Sequence, residues 1–256
     1  MLHRTEGIVL KNTPYGEADL LVTFLTKDFG LINTFAKSPR KVKSRFGSSL
    51  EPLTYSRISF WAKEHTSLPR LTQSDIIKPF QELRENFSCF LRLSEIAELT
   101  CNFLPEGEAN IRVFFLLKEI MEMMQSSCSA LNTLVYKIKF LELTGYAPRL
   151  KGCARCGRSG QGFYVSQGSV ICGACLDKLD EVSDKKGVVT LSAGSIRLYE
   201  TLKAWDVSKT ARIKVSENML SELSGMLDAH IECTLSRPIR TKTFRKETVP
   251  FPCSRV

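Results

Sequence analysis

The sequence predicts an α+β chain of several domains: an N-terminal β-barrel, an α-helical domain, and an inserted hairpin held together by zinc. Three observations predict it. Turn residues punctuate short strand-like runs through the first eighty residues, and helical periodicity takes over from Gln81. Cys153, Cys156, Cys172 and Cys175 then form two Cys-x2-Cys pairs with fifteen residues between them.

The strands are taken first. Glu6 to Leu10, Leu20 to Leu25, Gly30 to Lys37, Leu53 to Ala62 and Ser67 to Thr72 each read as a strand. Tyr15-Gly16-Glu17, Lys27-Asp28-Phe29-Gly30 and Lys63-Glu64-His65-Thr66 supply turns. Five short strands in so short a span predict a small closed or partly open barrel, with the oligonucleotide-binding (OB) fold as leading candidate. Residues 1–80 are accordingly read as an OB-fold nucleic-acid-binding domain.

Between the third and fourth strands, Lys37, Arg40, Lys41, Lys43 and Arg45 stand in a segment without an acid. A charge run of this kind is commonly a solvated loop. Here it follows a strand containing Phe35 and precedes Phe60-Trp61, so cations and flat rings can share one side. Phosphate neutralisation with base stacking is how single strands are held without sequence preference. Phe35 and Phe60 are expected in the core, since buried Phe is the commoner case.

From Gln81 the period changes. Leu83, Phe87, Phe90, Leu91, Ser94, Ala97 and Cys101 keep helical spacing until Pro105-Glu106-Gly107, and Ile111–Met124 and Ser129–Thr144 form two further helices, the last stopped by Gly145 and Pro148. Ser192 and Ser216 are expected to cap two more. The helical domain is read as 81–149 and 188–236, and the cysteine element as 150–187. Residues 237–256 are read as a basic tail, either a mobile arm or a disordered end, whose Arg240, Lys242, Arg245 and Lys246 are further candidate DNA contacts.

The four cysteines suit one structural Zn2+. Each pair turns two thiolates inward if the chain bends tightly, and Gly157 and Gly173 allow that bend. Phe163 to Val165 and Val170-Ile171 form the arms of the intervening hairpin, with Gly168 near its turn. Four thiolates fill a zinc ion's coordination sphere and leave no position for water or substrate, so the metal is expected as a staple. Paired disulfides are the competing arrangement. Cys89, Cys101, Cys128, Cys233 and Cys253, scattered without spacing, argue for a reducing compartment in which buried thiols behave as small apolar residues.

Charge adds direction. Residues 1–80 carry net +5, residues 81–147 net −3 and residues 148–256 net +7, so a polyanion is expected at the two ends of the chain. The start runs straight into polar residues and no stretch approaches a membrane span, so a cytoplasmic protein without membrane contact is expected. Catalysis finds little support. His3, His65 and His230 lack metal-ligand spacing, no phosphate-binding Gly-x4-Gly-Lys-Ser/Thr loop or Gly-x-Ser-x-Gly elbow occurs, and the acidic pair Glu17 and Asp19 borders a turn. A metal-dependent nucleic-acid-processing enzyme is the alternative.

With these pieces in order, the chain resembles the RecO family of DNA repair and recombination mediators over nearly its whole length. The resemblance is carried by Glu6-Gly7-Ile8-Val9-Leu10, by Tyr15-Gly16-Glu17-Ala18-Asp19 running to Phe24-Leu25-Thr26, and by Gly30 with Ala36-Lys37. Lys43-Ser44-Arg45-Phe46 before Leu50 continues it, as does Glu142-Leu143-Thr144-Gly145-Tyr146-Ala147-Pro148 leading into Cys153-Ala154-Arg155-Cys156-Gly157. It implies an OB barrel, a helical domain and a zinc element in a bacterial, nucleoid-associated protein that is not an enzyme. It also implies binding of single- and double-stranded DNA and annealing of complementary strands. With RecR as partner, such a protein helps load RecA onto DNA coated by single-strand binding protein. Family members lacking the four cysteines imply that zinc supports shape. Where the family commonly has Gly-Ala after the Ala-Lys pair, this chain has Ser38-Pro39, which implies a different path at the start of the basic loop.

Overall fold

Five strands close on themselves. In this computed structural model, which describes residues 1–41, 44–62, 68–178, 187–210 and 212–248 (side chains of 245–248 excepted), the strands are β1 (Leu2–Tyr15), β2 (Asp19–Thr26), β3 (Gly30–Ala36), β4 (Tyr55–Trp61) and β5 (Arg70–Lys78). They form a closed barrel in the order β1-β2-β3-β5-β4, with β4 returning to β1. Neighbours are antiparallel except β3 and β5, which run parallel through Phe35↔Arg70 and Ala36↔Leu71. This is an OB-like order.

Period-two alternation builds the barrel. Val22 and Phe24 of β2, Ile32 and Ala36 of β3, Ile58 and Phe60 of β4 and Leu71 of β5 all turn inward to one core, joined by Phe46 and Leu50 from the β3–β4 connection. Burying each large side chain there contributes about 1.5–3 kcal/mol. β1, β2 and β5 run beyond the expected bounds, while β3 stops at Ala36 and β4 covers only Tyr55–Trp61 of the expected Leu53–Ala62. β1 extends to Tyr15 because Lys11, Asn12 and Thr13 pair with Thr23, Val22 and Leu21 while staying wholly or partly exposed, so the apolar pattern marks only the buried stretch. β5 begins at Arg70 and ends at Lys78, later than expected at both ends; Ser67 and the expected turn Lys63–Thr66 lie outside the described residues.

Three helices follow: α1 (Gln81–Glu85), α2 (Phe87–Phe103) and α3 (Ile111–Ser126). Asn86 and Asn110 cap α2 and α3 by accepting from the amides of Cys89 and Val113. The segment between α2 and α3 lies along β3, where the Gly107 amide donates to the Leu31 carbonyl at 2.9 Å. Gly30 makes that approach possible. Its φ is +62°, and a Cβ there would sit 1.9 Å from the Glu108 carbonyl oxygen. Gly30→Ala therefore combines a left-handed penalty of roughly 1–2 kcal/mol with a backbone clash, and chemical denaturation is expected to show a stability loss of about 2 kcal/mol or more.

The chain divides into two compact units, Met1–Cys128 with Thr241–Val256, and Ser129–Arg240. The second unit holds α4 (Ala130–Leu143), a three-stranded sheet of β6 (Gly162–Tyr164), β7 (Ser169–Ile171) and β8 (Val188–Thr190), and the short α5 (Gly173–Leu176). α6 (Ala193–Ala204), α7 (Val207–Thr210) and α8 (Glu217–Leu235) complete it. Ser192 and Ser216 accept from the amides of Ser195 and Met219, so both expected caps are present. A partly buried ion pair, Lys137 Nζ to Asp228 at 2.7 Å, ties α4 to α8.

Two expectations are corrected. Cys89 and Cys128 are joined as a disulfide, Cα atoms 5.9 Å apart, so they are not two of five separate thiols. The start of α2 meets the segment just after α3, a non-local encounter that a separation of 39 residues conceals. Cys101 is a partly buried thiol, pushed up to about 11 chiefly by desolvation, and Cys253 lies outside the described residues. The tail is likewise no loose arm over its first part: Arg240–Thr248 form a helix, α9. Its Thr241 donates from both amide and hydroxyl to Glu98 of α2, at 2.8 and 2.6 Å.

Candidate nucleic-acid interface and cysteine centre

The basic loop is fixed at both ends. At its start the Ser38 amide donates to Asp19 Oδ1 at 2.6 Å and the Arg40 amide to the Ala18 carbonyl at 3.3 Å. At its end Phe46 inserts into the barrel core. Between these anchors Lys37, Arg40, Lys41 and Arg45 are exposed, and the Arg45 guanidinium lies 5.0 Å from the Phe46 ring centre. Lys43 lies outside the described residues. Ser38 adopts φ +57°, the left-handed conformation that glycine adopts without cost. Ser38 thus keeps a glycine-like backbone at the start of the loop.

Asp19 is therefore an anchor. Replacing it with Ala removes a partly exposed charge-assisted hydrogen bond, and the expected effect is a stability loss of about 1 kcal/mol in urea titrations. A drop in strand cleavage with unchanged stability would assign Asp19 to chemistry instead.

Beside the loop the pairing register lays out an outward-facing row. Trp61 of β4 opposes Arg70 of β5, and Arg70 opposes Phe35 of β3. Because Phe60, Leu71 and Ala36 turn inward, their neighbours Trp61, Arg70 and Phe35 turn outward. Tyr15 packs edge-on against Phe35 at 6.0 Å. Trp61 is 53% and Tyr15 56% exposed. Phe60 is core as expected, but Phe35 is only partly buried and belongs to this outer row. Tyr15 and Arg70 escaped the sequence reading. Strand alternation marks Arg70 as outward, but the parallel β3–β5 pairing that sets it beside Phe35 has no local signal.

The C-terminal candidates are placed differently. Arg240 is exposed, whereas Lys242 is only 8% exposed and so is not presented to a phosphate chain. The side chains of Arg245 and Lys246 lie outside the described residues.

In the second unit the four cysteines converge. Their Sγ atoms all lie within 4.8 Å of one another, and Cys156 and Cys172 are 3.5 Å apart. A tetrahedral ion with sulfur at about 2.3 Å sets its ligands roughly 3.8 Å apart, so the donor set fits. Gly157, at φ +75°, makes the first bend as expected, while Gly173 instead opens α5. Gly152 was missed: at φ +73°, a Cβ there would sit 2.9 Å from the Gly157 carbonyl oxygen. The hairpin between the pairs has its turn at Gly168, at φ +59°, as expected, but its first arm is Gly162–Tyr164, with Val165 opening a 3-10 turn, and β8 adds an unexpected third strand.

The Cys172 amide first, then those of Arg155 and Cys156, pull Cys153 down to about 6. Bonds shared with the thiols of Cys156 and Cys172 push Cys175 up to about 12. Among the described residues these cysteines are the one group of three or more His, Cys, Asp or Glu side chains close enough to hold an ion. His3 stacks on Phe60 and His230 Nε2 bonds the Tyr146 carbonyl at 2.8 Å, so both have packing roles; His65 lies outside the described residues.

An OB-like barrel with a pinned cationic loop, followed by helices and a four-cysteine centre, defines an α+β protein. Comparison with known proteins narrows this. The family models described as "Recombination protein O N terminal" and "Recombination protein O C terminal" match residues 1–80 and 87–243. The chain belongs to the RecO family. It is 42% identical over 233 residues to the DNA repair protein RecO of Thermodesulfovibrio yellowstonii, covering 90% of this chain and 92% of that one. It is 31% identical over 242 residues to the protein of that name from Alkaliphilus metalliredigens, covering 93% and 95%. Among the described residues no helix is long and apolar enough to cross a membrane.

Proposed function

We propose that the chain is a DNA-binding mediator of recombinational repair with no catalytic centre of its own. Lys37, Arg40, Lys41, Lys43 and Arg45 hold the phosphates of a strand, and Tyr15, Phe35, Trp61 and Arg70 offer faces on which bases stack. The single observation that supports this reading is the loop anchored at both ends: Lys37, Arg40, Lys41 and Arg45 beside outward-facing rings lose less entropy on binding than the same cations on a free coil. One Zn2+ on Cys153, Cys156, Cys172 and Cys175 keeps the cysteine element folded. Residues 1–80 act as the nucleic-acid-binding part and residues 150–187 as the zinc element.

Family membership supports the remaining steps. The chain binds single- and double-stranded DNA, anneals complementary strands, and with RecR assists RecA loading on DNA covered by single-strand binding protein, in the bacterial cytoplasm at the nucleoid. Annealing asks a protein to lower the repulsion between two polyanions while leaving base edges free. Fluorescence anisotropy with labelled oligo-dT at increasing salt tests the first step. Three to five phosphate contacts give a slope of log affinity against log salt of roughly −2 to −3.5. No binding at low salt, or a flat slope, would refute the reading.

A further inference from the structure

Beside the cysteine centre, within the second unit, lies an open groove of about 740 Å³. Leu150, Ile171, Leu176, Val188 and Ile196 give it apolar walls, and Arg197 of α6 stands among them. Its size falls in the range of about 300–1,000 Å³ typical of small-ligand sites. The two cysteine loops shape one side. Gly160 packs so closely on the second loop that a Cβ there would lie 2.6 Å from the Ile171 carbonyl oxygen and 2.8 Å from the Cys172 amide nitrogen.

Arg197 lines this groove, and further cations stand on the chain segments that supply its other walls. Residues 148–178 contain Arg149, Lys151, Arg155, Arg158 and Lys178 against a single acid, Asp177. All five cations are exposed. Lys151 lies 3.4 Å from Glu200; among the described residues, Arg155, Arg158, Lys178 and Arg197 have no carboxylate partner. The backbone keeps them near one another, since the Cys153 amide donates to the Arg158 carbonyl at 2.7 Å and the four thiols hold the two loops together.

We propose that this groove is a second single-strand nucleic-acid site: an unstacked base enters between the apolar walls, and flanking phosphates meet Arg155, Arg158, Lys178 and Arg197. An apolar slot suits a base because every base has a flat face, and a guanidinium plane can stack on it. Cations spread over three segments suit a repeating polyanion, whereas an acidic peptide end needs charge at one point only. The proposal rests on the reading of the chain as a DNA binder and gives annealing a holder for a second strand. It also reassigns the positive charge of the C-terminal half from the tail, where Lys242 is buried, to the cysteine element.

Photo-crosslinking of the full chain with an oligonucleotide carrying 5-iododeoxyuridine, read by mass spectrometry, tests it directly. Crosslinks are expected in 149–178 and 188–197 as well as in the barrel. The triple variant Arg155→Glu, Arg158→Glu, Arg197→Glu, with an unchanged melting temperature, is expected to lose the groove crosslinks and to slow annealing at least about tenfold. Barrel crosslinks alone, together with a triple variant that anneals like the parent chain, would overturn the second site and leave the barrel reading standing. An oligonucleotide that binds the parent chain nowhere at low salt would overturn both. Displacement of the groove crosslinks by an acidic peptide at stoichiometric concentration, with annealing intact, would assign the groove to a protein partner.

Discussion

Reversing Lys37, Arg40, Lys41, Lys43 and Arg45 together is expected to cut affinity for a single strand by at least about 100-fold at moderate salt. Each lost phosphate contact removes about 0.7 from the magnitude of the salt slope, so three to five contacts remove roughly 2 to 3.5. Stability should hardly change. The four described members are exposed, and the loop is fixed by Asp19 and Phe46 rather than by its cations. Arg45 loses only its ring contact with Phe46, worth about 0.5–1 kcal/mol at an exposed site. Equal affinity and slope in the variant would move the phosphate grip away from the barrel loop.

Cys153→Ser is expected to act on the other unit and in another way. Structural zinc contributes on the order of 10 kcal/mol to small metal-bound folds, and a site with three thiolates retains only part of that. Losing even 2–4 kcal/mol lowers the melting transition of a segment this size by roughly 10–20 °C. Bound zinc should fall from one per chain toward none, while the barrel's binding to oligo-dT stays within about threefold. Treatment with a chelator should reproduce the shift. An unchanged transition with lost strand binding would make the metal part of the interface.

Local signals in the sequence were legible and non-local ones were not. The strand runs that became β2 and β3, the caps Ser192 and Ser216 and the cysteine spacing each depend on a few neighbouring residues, and each appears close to where the pattern puts it. The Cys89–Cys128 bond, the parallel β3–β5 pairing and the docking of Thr241 on Glu98 join segments far apart in the chain. Periodicity carries no information on such encounters. The same limit explains the site. The cations of the loop could be read as a run, but the row Trp61, Arg70, Phe35 depends on strand register, and the groove at Arg197 depends on how α6 packs beside the cysteine loops. Lys242 shows the converse error, since a basic run reads as solvated until a helix buries one of its members.

Lysine acetylation footprinting on the unmodified chain, with and without saturating oligo-dT, tests most directly where a strand is held. Protection of Lys37 and Lys41, with exposed Lys209 reacting at the same rate in both states, is the predicted result. Full reactivity of Lys37 and Lys41 in the saturated complex would contradict the account.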